Sequence, residues 1–433
     1  MKNKNNQLRN NYWQNRRIAV TGMGVFAPDC PDRKAFRSHL FEGESVLYCQ
    51  NIEDKRIIGA FLSEEDLADG FQKKLKFEFP AAKKVFQRAS KSVKASLLAV
   101  SEAWQCAGFP EMEINAMRIG IVVAGSNISN QTIYQAMKNY QSHMELLHPR
   151  YALDFLDTCQ IGAISEMLPV QGESMTVGGA SASGNVALLQ AAHLIQLHIL
   201  DVCIVVGAMA DLSLAELNGF INLGAYGGKS FLDFPEGASR PFDCKHEGFV
   251  LGQAAACLIL EGEDTAKERN AEIMAYLLGG AQMLDRTSLS EPNTENQAIV
   301  MQEALDRAGI YPDEIAYVNA HGTSTPIGDI SELTAIKKVF KEHTEELWLN
   351  STKALFGHCL YSAGVLEAAA CVIQMQEKFV HGMPHLVSPV AEGFRFAKGK
   401  APQENQVLRY ALSNSYGFTG INTTIILGRE IKK

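Results

Sequence analysis

The chain has 433 residues, of which 46% are hydrophobic and 20% charged, so it can bury the core of one large duplicated fold or of about two to three domains. Its formal net charge of −8 argues against nucleic acid or an anionic membrane as the main ligand. Nine cysteines without a C-x-x-C pair are typical of reduced, buried thiols in a cytosolic protein.

The chain begins with a polar, asparagine-rich segment that has no apolar core, so it does not resemble a secretory signal. We expect residues 1–16 to form a disordered tail. No apolar run is long enough to cross a bilayer, so we expect no membrane association and a cytoplasmic location. Two halves are predicted after the tail, at residues 17–265 and 266–433.

Short β-branched runs alternate with segments of helical periodicity along both halves. Strands are predicted at residues 17–22, 118–124, 202–208, 254–261, 273–278, 315–320, 410–413 and 423–427. Helices are predicted at residues 185–198, 294–308, 329–340 and 362–376. Two successive alternations of related order predict a duplicated α/β fold with mostly parallel sheets covered on both faces. Residues 228–244, with Gly, Pro and Asp, are predicted to form a long loop of a kind that is often functional.

Ser181 lies among small residues directly before the predicted helix at residues 185–198. Its side chain would project from a tight strand-to-helix turn, beside the free N–H groups of a helix N-terminus. That position suits a nucleophile or an oxyanion site. Serine is also a favoured N-cap, so the alternative is that Ser181 or Ser183 only caps this helix.

Two histidines, His321 and His358, stand next to glycine in loops that follow predicted strands. Catalytic groups concentrate in such loops of α/β folds, so both are candidate catalytic residues. His193 and His198 lie on a predicted helix and carry no motif, and we interpret them as structural.

Segments along nearly the whole chain resemble the β-ketoacyl synthases of the thiolase superfamily, whose nucleophilic cysteine falls on Ser181. The segments are residues 17–24, the Ser181 turn, residues 240–243 and 248–252, His321-Gly322-Thr323-Ser324-Thr325, Gly357-His358 and residues 414–420. The resemblance implies a thiolase-like duplicated α/β fold, with five αβαβα layers and mixed sheets, in a homodimer. The pair Gly22 and Gly24 lacks the third glycine and the acidic residue of a dinucleotide site, so no nucleotide is implied.

The resemblance also implies roles for individual residues. His321 and His358 would bind the carbonyl of a thioester. Lys353 would be a nearby structural and electrostatic lysine, paired with Glu367.

The resemblance further places a thioester-bearing arm in the site. Thr323 and Thr325 would hydrogen-bond the pantetheine arm, and the backbone N–H groups of Ser181 and Phe418, with Gly417 beside them, would form an oxyanion hole. The implied partner is an acyl carrier protein. No metal is implied, and no cofactor beyond the carrier's phosphopantetheine.

The serine at position 181 changes the expected chemistry. A serine hydroxyl ionises far less readily than a cysteine thiol, so it needs a strong adjacent base to accept an acyl chain. Decarboxylation of a malonyl thioester instead leaves an enolate, whose oxygen needs hydrogen-bond donors such as His321 and His358. Family members with Gln or Ser at this position behave as decarboxylases.

The resemblance therefore implies a free-standing decarboxylase, within an acyltransferase family, that converts malonyl-carrier to acetyl-carrier for starter supply or β-branching in polyketide biosynthesis. Two alternatives stay open. One is a condensing enzyme that forms an ester at Ser181, and the other is a non-catalytic subunit similar to a chain-length factor.

Two departures from the family pattern accompany the serine: the neighbours at residues 178–182 are unusual, and Gln253 stands where the family usually has an acidic residue. A cluster of basic residues could dock an acidic carrier protein, or it could be a solvated helix face. Its members are Lys73, Lys74, Lys76, Lys83, Lys84 and Arg88.

Overall fold

The computed structural model describes residue 13 and residues 16–53, 55–109 and 115–429. Fourteen strands are assigned within these ranges: β1 (Ile18–Phe26), β2 (Tyr48–Ile52), β3 (Lys55–Ala60), β4 (Ile119–Ala124), β5 (Met175–Val177), β6 (Val202–Gly207), β7 (Leu251–Gly252), β8 (Ala255–Gly262), β9 (Ala275–Leu284), β10 (Tyr317–Asn319), β11 (Trp348–Asn350), β12 (Arg395–Phe396), β13 (Tyr410–Gly417) and β14 (Ile421–Gly428).

The α-helices of the same ranges are α1 (Arg33–Glu42), α2 (Glu64–Gly70), α3 (Ala82–Arg88), α4 (Lys91–Cys106), α5 (Asn130–Tyr140), α6 (Tyr151–Asp154), α7 (Cys159–Met167), α8 (Ser183–Gln196), α9 (Leu214–Asn222), α10 (Glu263–Glu268), α11 (Thr294–Ala308), α12 (Pro326–Phe340), α13 (Lys353–Phe356) and α14 (Ala363–Glu377). None of the described helices is long and apolar enough to cross a membrane.

The two halves repeat one sheet topology. Strands β5-β4-β6-β8-β1 of the first half correspond, in order and direction, to β11-β10-β13-β14-β9 of the second, and β12 extends the second sheet. A short antiparallel pairing of β1 with β9 joins them into one eleven-stranded sheet. Antiparallel ladders are as frequent as parallel ones, so the prediction of mostly parallel sheets is wrong, and the mixed sheets implied by the family resemblance are confirmed.

The central layer consists of α8 and α14, which pack against each other and against both halves of the sheet. A Cβ atom built on Gly184 of α8 would lie 2.7 Å from the Cα atom of Gly364 in α14, so glycine at both positions allows close contact. Helix α4 covers the outer face of the first half, and α11 and α12 cover that of the second. The five αβαβα layers are thus confirmed.

Every predicted strand and helix is present, most of them with shifted ends. Helix α11 has the predicted bounds and ends at Gly309, whose φ of 67° is left-handed. Strands β13 and β14 extend beyond the predicted segments because polar residues such as Ser415 and Asn422 are buried in the sheet. The hairpin of β2 and β3 has no counterpart among the predicted elements. The boundary between the halves at residues 265 and 266 stays a prediction.

The prediction that residues 1–16 form a disordered tail is wrong for the end of this segment. Trp13 and Arg16 are both buried, and Arg16 forms ion pairs with Asp201 and Asp264. These contacts attach the start of the chain to the first half. The rest of the predicted tail lies outside the described residues.

Candidate active site

Ser181 lies in a 3-10 turn between β5 and α8. Ala180 has a φ of 48°, which is strained for a residue with a side chain. The Ser183 hydroxyl stabilises this turn: it accepts a hydrogen bond from Gly179 N–H at 2.9 Å and donates one to the Ala180 carbonyl at 2.7 Å. The N-cap of α8 is Ala182, without a side-chain cap, so the alternative that a serine only caps the helix is wrong.

The second half has an equivalent turn before α14. Leu360 there has a φ of 49°, matching Ala180, and Tyr361 occupies the place that Ser181 has in the first half. The two turns contact each other because α8 and α14 pack together in the central layer. His358 precedes Leu360 by two residues, so the contact between the two equivalent turns places His358 beside Ser181.

His358 and Ser181 are hydrogen-bonded, with 2.8 Å between Nε2 and Oγ. The other ring nitrogen, Nδ1, accepts a hydrogen bond from Leu360 N–H at 3.3 Å. A neutral imidazole has one N–H, and Nδ1 is the acceptor, so the proton lies on Nε2. Burial, and then the charge of Lys353, holds the pKa of His358 well below its usual value. His358 is therefore a neutral donor toward Ser181.

His321 lies two residues after β10, with its ring centroid 5.4 Å from that of His358 and the two rings nearly perpendicular. Burial, and then Lys353, lowers the pKa of His321 well below its usual value. Its Nδ1 is buried and has no hydrogen-bond partner within the described ranges. The tautomer with the proton on Nε2 leaves no buried N–H unpaired, so we assign it. Both imidazoles are thus donors through Nε2.

Glu332 of α12 holds the His321 loop in place. Its carboxylate accepts hydrogen bonds from His321 N–H at 2.8 Å, Gly322 N–H at 2.7 Å and the side-chain amide of Asn414 at 3.0 Å. Burial raises the pKa of Glu332 to about 7, against the effect of these hydrogen bonds. Glu332 is not among the site residues predicted from the sequence; a carboxylate on the buried face of a predicted helix is the signal that points to it.

Lys353 and Glu367 form an ion pair behind the histidines. Both side chains are almost completely buried, and Ser415 Oγ donates to the second Glu367 oxygen at 3.4 Å. The structure therefore brings together the two residues that the resemblance paired. Lys353 lies on the single turn of α13, whereas Glu367 lies on α14, so the pair also joins these helices.

Gly417 brings the closing loop against the Ser181 turn. A Cβ atom at Gly417 would lie 2.3 Å from the Gly179 carbonyl oxygen, so only glycine fits. The next residue is Phe418. In the described chain, no backbone acceptor outside regular elements is assigned to Phe418 N–H. The oxyanion hole of Ser181 and Phe418 N–H groups stays a prediction.

A cavity of about 200 Å³ opens beside this loop. His321, Thr323, Thr325, Gly417 and Phe418 line it, as do Tyr416 and Ile327. The Thr323 and Thr325 hydroxyls are 2.8 Å apart and hydrogen-bonded to each other. Ser181 and His358 are not among the lining residues, whereas Gly417 lies against both the cavity and the Ser181 turn.

The long loop predicted at residues 228–244 supports the site from outside. Ser239 Oγ donates to the Lys353 carbonyl at 2.6 Å, and Arg240 N–H donates to Ser324 Oγ at 3.0 Å. The loop contains two short 3-10 turns, at Lys229–Phe231 and Pro235–Gly237. It therefore braces both the α13 turn and the loop that carries His321.

Gln253, one of the two predicted departures from the family, directly follows β7. Its side-chain oxygen accepts from Leu62 N–H at 3.0 Å, and its amide donates to Asp211 at 3.3 Å. Since β7 also bonds to the backbone of His358, this amide fixes a strand adjacent to the site.

The basic cluster proposed for docking is only partly free. Lys73, Lys74 and Arg88 form ion pairs with Asp69, Glu102 and Glu166, respectively. Lys76, Lys83 and Lys84 are exposed and have no ion pair in the described part of the chain. His193, near the end of α8, packs near Trp13, and the exposed His198 follows the end of that helix.

The sequence matches the family described as Beta-ketoacyl synthase, N-terminal domain, over residues 15–266, and that described as Beta-ketoacyl synthase, C-terminal domain, over residues 272–387. The polyketide biosynthesis malonyl-ACP decarboxylase PksF of Bacillus subtilis (strain 168) is 33% identical over 414 residues, covering 95% of this chain and 96% of that protein. The 3-oxoacyl-acyl-carrier-protein synthase 2 of Coxiella burnetii is 29% identical over 422 residues, covering 96% and 99%.

The fold agrees with these sequence matches. The crystal structure of a β-ketoacyl synthase from Burkholderia phymatum STM815 aligns with a TM-score of 0.82 at 26% identity, covering 96% of this chain and 100% of that one. The family matches span both halves and include the turn of Ser181 and the loops of His321 and His358. The chain therefore belongs to the β-ketoacyl synthase family, with the thiolase-like fold.

Proposed function

We propose that the protein decarboxylates malonyl-acyl carrier protein to acetyl-acyl carrier protein, as an enzyme of polyketide biosynthesis. The observation that carries this proposal is the hydrogen bond between His358 Nε2 and Ser181 Oγ, with Nδ1 of the same ring occupied by Leu360 N–H. A ring held in this way donates to position 181 and does not remove a proton from it. The relative PksF, a malonyl-ACP decarboxylase by name, points to the same reaction.

In the proposed reaction, the carbon–carbon bond to the malonyl carboxylate breaks and carbon dioxide leaves. The electron pair of that bond enters an enolate, whose oxygen accepts hydrogen bonds from the Nε2–H groups of His321 and His358. His358 has one N–H, so on substrate binding this N–H turns from Ser181 Oγ to the substrate oxygen. Each such donor is worth about two to three powers of ten in rate. One proton is then taken up at the enolate carbon to give the acetyl thioester. No cofactor is needed beyond the carrier's phosphopantetheine.

Acyl loading is disfavoured by the same geometry. An ester at Ser181 requires a base that accepts the hydroxyl proton, as in a serine hydrolase. His358 presents its N–H to the serine, and turning it into a base would need the proton on Nδ1, opposite Leu360 N–H. The enolate therefore finds no acyl group on the enzyme to attack.

The test is incubation with malonyl-carrier alone, followed by intact-protein mass spectrometry of both proteins. Acetyl-carrier without any acylated enzyme is the expected result. A covalent adduct at Ser181 would support the condensing enzyme instead. An enzyme silent toward malonyl-carrier would favour the non-catalytic partner subunit.

We also propose that the protein is a homodimer. Strand β5 lies at the edge of the eleven-stranded sheet, where its unpaired backbone groups can bond to a second copy. Sedimentation of the purified chain tests this, and a monomer at micromolar concentration would contradict it.

A further inference from the structure

The Ser181 hydroxyl carries one proton that no group in the described structure accepts. Its single assigned hydrogen bond is with His358 Nε2, which is the donor in that bond. The serine oxygen is therefore the acceptor, and its own O–H points away from the imidazole. Ser181 is only half-buried, so the residue keeps some accessible surface.

We propose that Ser181 is the proton donor that ends the decarboxylation, delivering its hydroxyl proton to one face of the acetyl enolate. This inference rests on the proposed function and gives the serine an active role. After carbon dioxide has left, the O–H bond of Ser181 breaks and a C–H bond forms at the enolate carbon. The enolate becomes acetyl-carrier, and the negative charge passes to the serine oxygen. Water then returns a proton to that oxygen, so one solvent proton is consumed in each turnover.

The energetics favour this direction of transfer. The carbon of a thioester enolate is a much stronger base than a serine alkoxide, so the transfer runs downhill, although a hydroxyl is too weak an acid to ionise unaided. The alkoxide that forms briefly lies next to two stabilising groups. His358 Nε2 lies 2.8 Å from Oγ, so its N–H can return to the serine as the carbonyl re-forms, and the N-terminus of the 14-residue helix α8 begins two residues later.

The same arrangement explains how a residue unable to accept acyl groups can still serve the reaction. A nucleophile must lose its proton before bond formation, and His358, the described group bonded to Ser181, cannot accept it because its Nε2 already carries a proton. A proton donor must keep its proton until the enolate forms, and the same arrangement leaves the hydroxyl protonated. The proton should therefore arrive from one side, the side of the Ser181 turn.

The experiment uses malonyl-carrier with a single deuterium at a defined position on the malonyl C2, turned over by the full-length enzyme in tritiated water. The configuration of the chiral methyl group in the acetyl product is then measured. The wild-type enzyme is expected to give one configuration in excess. The acetyl-carrier formed by Ser181→Ala is expected to have a racemic methyl group, because the proton then comes from solvent on either face.

Conservative and matched variants complete the test. Ser181→Cys keeps a proton donor at the same place, so its product should have the wild-type configuration. This variant tests the inference even where Ser181→Ala is inactive. Ser362→Ala removes a hydroxyl from the equivalent turn of the second half, where Ser362 Oγ donates to the Cys359 carbonyl, and should leave the configuration unchanged.

Two results would overturn the inference while leaving the proposed function intact. They are a racemic product from the wild-type enzyme and an unchanged configuration in Ser181→Ala. Absence of acetyl-carrier with the wild-type enzyme would instead refute the proposed function, and this inference with it.

Discussion

Lys353 and Glu367 form an ion pair in which each side chain is only 2% exposed. Two charges at this depth compensate each other, and neither has water to replace a lost partner. The pair lies between the turn of α13 and the central helix α14, next to both histidines. Burial raises the pKa of Glu367, while Lys353 opposes that rise. The pair is therefore both a structural link and a source of positive charge beside the site.

Removing one member of this pair should destabilise the protein strongly. Glu367→Leu is expected to lower the free energy of unfolding by about 3–5 kcal/mol, because it leaves a buried ammonium unpaired. The double variant Lys353→Met with Glu367→Leu removes both charges and should recover most of that loss. Urea unfolding followed by circular dichroism measures both. A double variant as unstable as the single one would show that packing, and not charge, is responsible.

The two histidines should each be essential for decarboxylation. His321→Ala and His358→Ala are each expected to reduce the rate by about two to three powers of ten, since each removes one donor to the enolate oxygen. The measurement is acetyl-carrier formation from saturating malonyl-carrier. His198→Asn is a suitable control because His198 is exposed and has a φ of 56°, which asparagine tolerates. A full rate in either alanine variant would contradict the role of that ring.

Glu332 should make stability depend on pH. Its pKa is about 7 in the folded protein and 4.5 as an ordinary glutamate, so the folded state keeps a proton that the unfolded chain has lost between these values. Its contribution to stability is therefore complete below pH 4.5 and is lost as the pH rises through about 7.

The variant Glu332→Gln isolates this effect because glutamine does not titrate. As the pH falls, the wild type is expected to gain stability relative to Glu332→Gln, by at most about 3 kcal/mol. Each unit of pKa shift corresponds to about 1.4 kcal/mol. Urea unfolding at intervals from pH 4.5 to 8 measures it. A difference that stays constant with pH would mean that Glu332 keeps an ordinary pKa.

Gly417 should be intolerant of even a methyl group. Gly417→Ala would place Cβ 2.3 Å from the Gly179 carbonyl oxygen and push the N–H of Phe418 away from the Ser181 turn. We expect a loss of stability of about 1–3 kcal/mol from overpacking, and a larger proportional loss of activity. Gly162→Ala is the matched control. It lies inside α7 with no atom within 4 Å of its Cβ, so it should stabilise the helix by up to about 1 kcal/mol.

The free lysines of the basic cluster should contribute to carrier binding. A triple change of Lys76, Lys83 and Lys84 to glutamate is expected to raise KM for malonyl-carrier, with kcat little changed, because an acidic carrier is then repelled. Activity on malonyl-pantetheine, which has no protein surface, should be unaffected. Equal effects on both substrates would show damage to the site, and no effect on either would place the docking surface elsewhere.

The sequence by itself determined the local elements and the chemical groups. Helix α11 could be predicted to the residue because its end is coded locally, by Gly309 after the last turn. The positions of Ser181, His321 and His358 followed from short motifs at strand ends. Strand direction did not follow from the sequence. Buried runs such as β8 and β14 have the same pattern in parallel and antiparallel sheets.

Only the tertiary structure decided what these groups can do. The tautomer of His358 is set by Leu360 N–H and Ser181 Oγ, and Ser181 is 177 positions away in the chain. The support from Glu332 and Asn414 depends likewise on residues brought together by packing. A local pattern specifies which groups are present, but the direction of a hydrogen bond depends on what lies opposite, and the contact of two duplicated halves determines that.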